Sequence, residues 1–421
     1  MQKEVINVWA FTDEIPDMIQ KYMELQPAFA EKYEINTTII STSDGAYQPA
    51  LDEALLDGGF DIPDIFSAES TFVLKYTQGE MSRFVLPYAD LGIDVAKKIK
   101  EAKIVPYMVD VGSRQGEVVG LGFQSSGGAV IYRRSIAKAV WGTDDPEVIQ
   151  RKIGPGWDVF LEAAREVNAA GYSMVSGPED LWQVVRNTGD QPWIVDGKLV
   201  ISSARADFME LHKKFYTENL SNNVSAWSEA WFADMQDEGS RPVFAFLGPA
   251  WLIDYIIIRN CGGQAVGEGT FGDWAVAMPP VGFFWGGTWL LVNASSNEAV
   301  RMGVAELIQW ITLDSSETGA QHMLAASTLF DAKVSKDAVS SAVVMEKTDG
   351  STDFLSGQNM FDVFVPAGAF ADAKILTPYD ETINEWFVAQ SLEYAIGNKT
   401  KAEAMGDFKK QVNEYLGLSP T

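Results

Sequence analysis

From residue 5 to residue 66 the hydropathy pattern changes period repeatedly, and that alternation restricts the possible fold more than any other stretch. Residues 5–11 (VINVWAF) are strand-like, while residues 13–33 carry Met18, Ile19, Tyr22, Met23 and Phe29 in a helical pattern. INTTII at 35–40 is β-branched, 47–56 has a helical pattern, and DIPDIF at 61–66 is a further short strand. A βαβαβ succession predicts a parallel sheet, since each crossover helix returns the chain to the same sheet. In such sheets ligands gather beyond the carboxyl ends of the strands. Here those ends are the loops Thr12-Asp13-Glu14, Ser43-Asp44-Gly45 and Ser67-Ala68-Glu69. Asp13, Glu14, Asp44 and Glu69 are therefore candidate ligand residues, with Tyr47 at the opening of the next helix.

At 421 residues and 47% hydrophobic, the chain is too long for one ordinary domain, and two are expected. Asp plus Glu total 58 against 32 Lys plus Arg, a net charge of −26, which argues against nucleic acid and against anionic lipid as partners. A small, uncharged ligand fits better. The single Cys261 permits no internal disulfide, and His212 and His322 lack zinc spacing, so neither a metal nor a cofactor is expected. Gly267 to Gly272 matches G-x-G-x-x-G, but a strand (DWAVAM) and two prolines follow instead of a helix, so no dinucleotide site is expected there. There is no P-loop, G-x-S-x-G, H-E-x-x-H or EF-hand loop. No run of 18 apolar residues occurs. QKEVINVWAF enters a strand pattern at once, without the basic and apolar regions of a secretory leader.

A chain crossing is expected near residue 124, where an apolar strand over 118–123 breaks at Gln124-Ser125-Ser126-Gly127-Gly128 before a second strand at 129–132. A second crossing is expected in MPPVGFFWGGTWLLVN (278–293), a loop with two prolines and a Gly286-Gly287 pair that feeds a buried strand. Both Gly-rich breaks suit hinges. Trp157, Phe160, Leu161, Ala164 and Val167 share one helix face, with Gly171 as a left-handed terminator. A strand at 243–247 and the turn Gly248-Pro249 precede Trp251. Ser295 with Glu298, and Thr400 with Glu403, read as capping boxes. The first box opens a helix striped by Val300, Val304, Leu307, Ile308 and Ile311, and the second opens one with Met405, Phe408, Val412 and Tyr415 facing inward.

The tryptophans give the chemistry. Sugar rings present apolar C–H faces that stack on indoles, and their hydroxyls need carboxylates and amides. Trp251 and Trp285 are the first candidates for stacking, with Trp227, Trp231 and Trp182 behind them, and Gln124, Asn187 and Gln358 are candidate amide partners. A glycan-active enzyme remains open, because hydrolysis needs only two suitably spaced acids. So does a lectin-like surface adhesin.

Several ordered segments carry a resemblance: VWAFTDE, GFDIPDIFSAE, GLGFQSSGGAVIYRRSIA, GWDVFLEAAREV, GYSMVSGPEDLWQVVRN, FGDWAVAMPPVGFFWGGTWLLVN, SGQNMFDVFVPAG and TPYDETINEWF. Together they resemble, nearly end to end, the solute-binding proteins of carbohydrate ABC transporters, extracellular family 1, as found in Gram-positive, clostridia-like bacteria. The resemblance implies an α/β, two-lobed periplasmic-binding-protein fold of type II-like form, with lobes joined by hinge crossings. The expected boundaries are 1–124 plus 288–330 for the first lobe and 125–287 plus 331–421 for the second, with the ligand cleft between them. It further implies a monomer that binds a mono- or oligosaccharide by hinge closure, catalyses nothing, and delivers its load to ABC transporter permease subunits. An extracellular place follows, through an N-terminal lipid anchor preceding this chain or in a periplasm.

Overall fold

The computed structural model of the chain describes residues 3–42, 45–59, 62–189, 191–330 and 336–417. Strand β1 (Glu4–Ala10) is followed by helices α1 (Glu14–Leu25) and α2 (Pro27–Lys32), strand β2 (Tyr33–Ile39), helix α3 (Tyr47–Asp57) and strand β3 (Ile65–Glu69). The one helix expected over 13–33 is thus two. Pro27 disfavours helical backbone at the residue before it, and Gln26 sits at φ −125°, ψ 76°. The third strand lies later than 61–66, because Pro63 has no N–H for the ladder and regular pairing with β1 starts at Ile65.

The apolar run 118–123 does not form one strand. The N–H groups of Val119 and Gly120 both donate to the Gly112 carbonyl, at 2.8 and 3.1 Å, leaving the short β4 (Gly120–Leu121). Then come β5 (Ala129–Arg133), α4 (Trp157–Ala169), α5 (Pro178–Val185), α6 (Ser203–Thr217), α7 (Glu229–Asp234), β6 (Ala245–Gly248), β7 (Trp274–Ala277) and β8 (Thr288–Val292). Helices α8 (Arg301–Thr312), α9 (Phe361–Phe370), α10 (Asp380–Ala395) and α11 (Lys401–Leu416) follow.

These elements form two compact units. Unit 1 comprises Met1–Ser125 and Gly286–Asp349, and unit 2 comprises Ser126–Trp285 and Gly350–Thr421. Two of the chain's passages between them therefore fall inside the Gly-rich breaks, where Gly286 and Gly287 hold φ of 75° and 109°.

Unit 1 is built on a five-stranded sheet in the order β2-β1-β3-β8-β4. β1 pairs parallel with β2 and β3, as the βαβαβ pattern requires, whereas β8 runs antiparallel to β3 and β4. β8 is wholly buried, and Trp289 within it donates to the Met108 carbonyl at 3.0 Å. Helix α8 starts at Arg301 with Val300 as its cap, so Ser295 and Glu298 form no capping box. Asn293 and Asn297 intervene, their side chains accepting from the N–H groups of Ser295 and Ala299 at 2.9 and 3.0 Å.

Unit 2 has a three-stranded antiparallel sheet, β6-β5-β7, under the helices α4, α5, α6, α10 and α11. Trp182 and Trp193 are buried there against Phe387. Gly171 does terminate α4 at φ 93°, and Thr400 and Glu403 do form a capping box at the start of α11. On that helix Phe408 and Val412 are buried, but Tyr415 is 56% exposed, its ring perpendicular to that of Trp386 at 5.0 Å. The G-x-G-x-x-G segment is a series of turns leading into β7. Among the described residues no helix is long and apolar enough to cross a membrane.

Candidate functional site

In unit 2, β6 and β7 end and β5 begins at the same edge of the sheet, since Gly248 is registered opposite Ala129 and Ala277 opposite Val130. The segments leaving this edge carry the indoles. Beyond β6, Trp251 opens a π-helical turn, Leu252–Ile257. Beyond β7, residues 278–285 fold back along 126–128. Gly128 donates to the Phe283 carbonyl at 2.9 Å and Trp285 to the Ser126 carbonyl at 3.0 Å. Asn187 adds a side-chain bond to the Phe284 carbonyl at 3.0 Å. Glycines make this closeness possible: a Cβ on Gly128 would lie 2.0 Å from the Phe283 ring, and one on Gly127 would lie 2.7 Å from the backbone of Gly368.

Trp251 and Trp285 meet at 5.1 Å with planes at 65°, and the Trp251 indole N–H donates to the Trp285 carbonyl at 3.0 Å. Trp227 completes the group, nearly parallel to Trp251 (6.4 Å, 12°) and edge-on to Trp285 (5.8 Å, 74°). Trp227 is 50% exposed, whereas Trp251 and Trp285 are half-buried. Trp231 lies behind Trp227 at 5.5 Å and is fully buried, with its N–H donating to Asp180 at 3.1 Å. Parallel rings 6.4 Å apart leave no space for a third ring, which needs roughly 7 to 8 Å at ordinary carbon contact distances. The usable surface is therefore the outward one, with Trp227 most prominent.

Asp180 is enclosed, and burial pushes its carboxyl up to about 7 despite hydrogen bonds from the Gly177 N–H and the Trp231 indole; the charges of Glu179 and Asp234 act in the same upward direction. Among the described residues no three His, Cys, Asp or Glu side chains group so as to hold a metal ion.

The other candidates are distributed between the two units. In unit 1, Asp13 is exposed and Glu14 half-buried at the start of α1. Glu69 ends β3 and accepts from Ser70 Oγ at 2.6 Å and from the Thr71 N–H at 3.1 Å. Tyr47 is buried, its hydroxyl donating to the Ser67 carbonyl at 2.7 Å, and burial raises its pKa. Gln124 is also buried, donating to Asp337. Asp44 lies outside the described residues.

In unit 2, Trp182 is a core residue stacked on Phe387 at 5.2 Å. Gln358 occupies the free edge of β7 as an extra strand residue would, accepting from the Val276 N–H at 2.9 Å and donating to its carbonyl at 2.8 Å. The structure thus gathers Trp227, Trp251 and Trp285, backs them with Trp231 and Asn187, and commits Trp182 and Gln358 to packing and to the sheet edge. In unit 1, Phe11 is half-buried beyond β1, its ring meeting Tyr47 at 5.8 Å and Phe72 at 6.3 Å.

The family model for bacterial extracellular solute-binding proteins matches residues 24–348. No curated protein matches the sequence. Among solved structures, an extracellular solute-binding protein of family 1 is 20% identical with a TM-score of 0.79, covering 98% of this chain and 100% of its own. The sugar-binding protein MalE from Xanthomonas citri is 14% identical with a TM-score of 0.73, covering 98% of both chains. An ABC-transporter-associated binding protein from B. animalis subsp. lactis Bl-04, solved in complex with beta-1,6-galactobiose, is 20% identical with a TM-score of 0.65, covering 99% of this chain and 98% of its own. At these identities the likeness establishes the shared fold.

Proposed function

Because this chain belongs to the bacterial extracellular solute-binding proteins, we propose that its solute is a carbohydrate, a mono- or oligosaccharide, held reversibly and without turnover for an ABC transporter permease. The observation that carries the reading is the exposed indole surface of Trp227, Trp251 and Trp285, which offers apolar faces of the kind sugar rings stack on. The rings touch one another, so they do not enclose an aromatic cage of the sort that takes a quaternary ammonium. A neutral flat ligand on the outer face suits them better. The sugar complexes of the galactobiose-binding relative and of the lacto-N-biose-binding protein from Bifidobacterium longum support the same class.

In unit 1, Asp13, Glu14 and Glu69 stand at carboxyl ends of parallel strands and are proposed acceptors for sugar hydroxyls. Extracellular placement goes with the family; attachment by a lipid anchor is part of the proposal.

The test is a thermal-shift screen with neutral mono- and oligosaccharides, followed by calorimetry and recovery of the ligand. A ligand that binds only the native state raises the midpoint, by an amount set by its concentration relative to Kd. A saccharide that raises it and is recovered intact supports the reading. A response confined to amino acids, peptides or quaternary amines would overturn the sugar class, and recovery of a cleaved glycan would overturn binding without turnover.

A further inference from the structure

Trp227 stands in an unusual position for the ring on which a sugar reading depends most. Its backbone is left-handed at φ 66°, a region costly for a bulky side chain, and half its surface is open. Such a conformation persists only where neighbouring groups hold it. Outside the segment's own turn, several of those groups come from one short stretch, residues 176–180, at the N-terminus of α5.

Val224 donates to the Ser176 carbonyl at 3.2 Å, and Gly177 admits the Val224 carbonyl so closely that a Cβ there would lie 1.9 Å from its oxygen. Directly before Trp227, the Ala226 N–H donates to the Glu179 carboxylate at 2.9 Å. Beyond it, Trp231 is tied by its indole to Asp180 and presses on the Trp227 ring. Ser228 closes the turn, its hydroxyl donating to the Ser225 carbonyl at 2.7 Å and accepting from the Trp231 N–H at 3.2 Å.

We propose that Glu179 and Asp180 are positioning residues that clamp the segment on both sides of Trp227 and so hold its ring outward for the solute. The affinity part of this inference rests on the carbohydrate reading; the positioning part does not. Glu179 is the better lever because it binds a backbone N–H, whatever side chain follows, and is only half-buried. Its removal frees Ala226 and lets the left-handed turn relax, whereas Glu179→Gln keeps an oxygen acceptor at the same place.

The experiment uses the full chain labelled with 5-fluorotryptophan, with the Trp227 resonance identified by its loss in Trp227→Phe. Glu179→Ala is expected to shift or broaden that resonance and to weaken the saccharide found in the screen on the order of tenfold, while Glu179→Gln restores both. In a Trp227→Ala background, Glu179→Ala should cost little more affinity, since the two substitutions remove one interaction. An unmoved Trp227 resonance in a folded Glu179→Ala protein overturns the clamp, as does an affinity loss that persists undiminished without Trp227. If no saccharide binds, the carbohydrate reading falls, and the resonance alone still decides whether Glu179 positions the ring.

Discussion

Trp227 and Trp231 are four positions apart, both indoles, and opposite in use. Trp227→Ala is expected to weaken saccharide binding by about 1 to 3 kcal/mol while leaving the melting temperature nearly unchanged, because the residue is already half exposed to water. Trp231→Ala removes a wholly buried ring and should cost about 3 to 5 kcal/mol of stability by denaturant unfolding. Equal effects of the two substitutions on folding would contradict the assignment. The sequence ranks these residues poorly, placing Trp251 and Trp285 ahead of Trp227. Exposure depends on the left-handed turn and on Asp180, which stands 51 positions away from Trp231 in the chain. Asp180 also carries a pH signature. Its folded pKa, raised by burial from 3.8 to about 7, means that the native state keeps a proton that the unfolded chain gives up first. The stability contributed by this group is therefore full below about 3.8 and falls as pH rises to about 7, by at most about 4 kcal/mol, after which it is flat. Urea titrations of the wild type and Asp180→Asn should diverge with pH in that window, and parallel curves would place the proton elsewhere.

At the scale of elements, legibility followed how local the deciding interactions were. The capping box at Thr400 and Glu403 was readable because both partners lie within one turn of α11. The one expected at Ser295 failed because Asn293 and Asn297 satisfy the same stretch of backbone first. Pro27 divided a continuous apolar stripe that otherwise favoured one helix. Nothing local announces that Gln358 finishes the edge of β7, since its partner Val276 is 82 positions distant. The loop from 278 to 285 is more strictly specified than its composition suggests. Gly128→Ala should destabilise the protein by about 1 to 3 kcal/mol, because the new methyl meets the ring of buried Phe283. It should also perturb the Trp285 fluorine resonance, as Trp285 follows Phe283 on the same pinned segment. A normal melting temperature with an unmoved Trp285 would show that the loop adapts.

For the whole molecule, the parallel β2-β1-β3 core was legible from period and connection alone, and Gly-rich breaks marked where the chain passes from unit 1 to unit 2 and back. If those breaks serve as hinges, as the family resemblance implies, solution scattering should give a smaller radius of gyration with saturating saccharide than without it. An unchanged curve with a tightly bound saccharide would rule out hinge closure on binding. The sheet of unit 1 carries a further consequence. Its fourth strand in space, β8, is supplied by residues 288–292, and β4 joins the sheet only through it. A nascent chain that has emerged only as far as residue 285 thus has an open edge on β3 and no partner strand for residues 120–121. Unit 1 cannot finish folding in the order in which it is synthesised. Its completion waits until most of unit 2 has been made, which delays compaction of the leading half. For a chain that belongs outside the membrane, that delay prolongs the period in which it can still be threaded across.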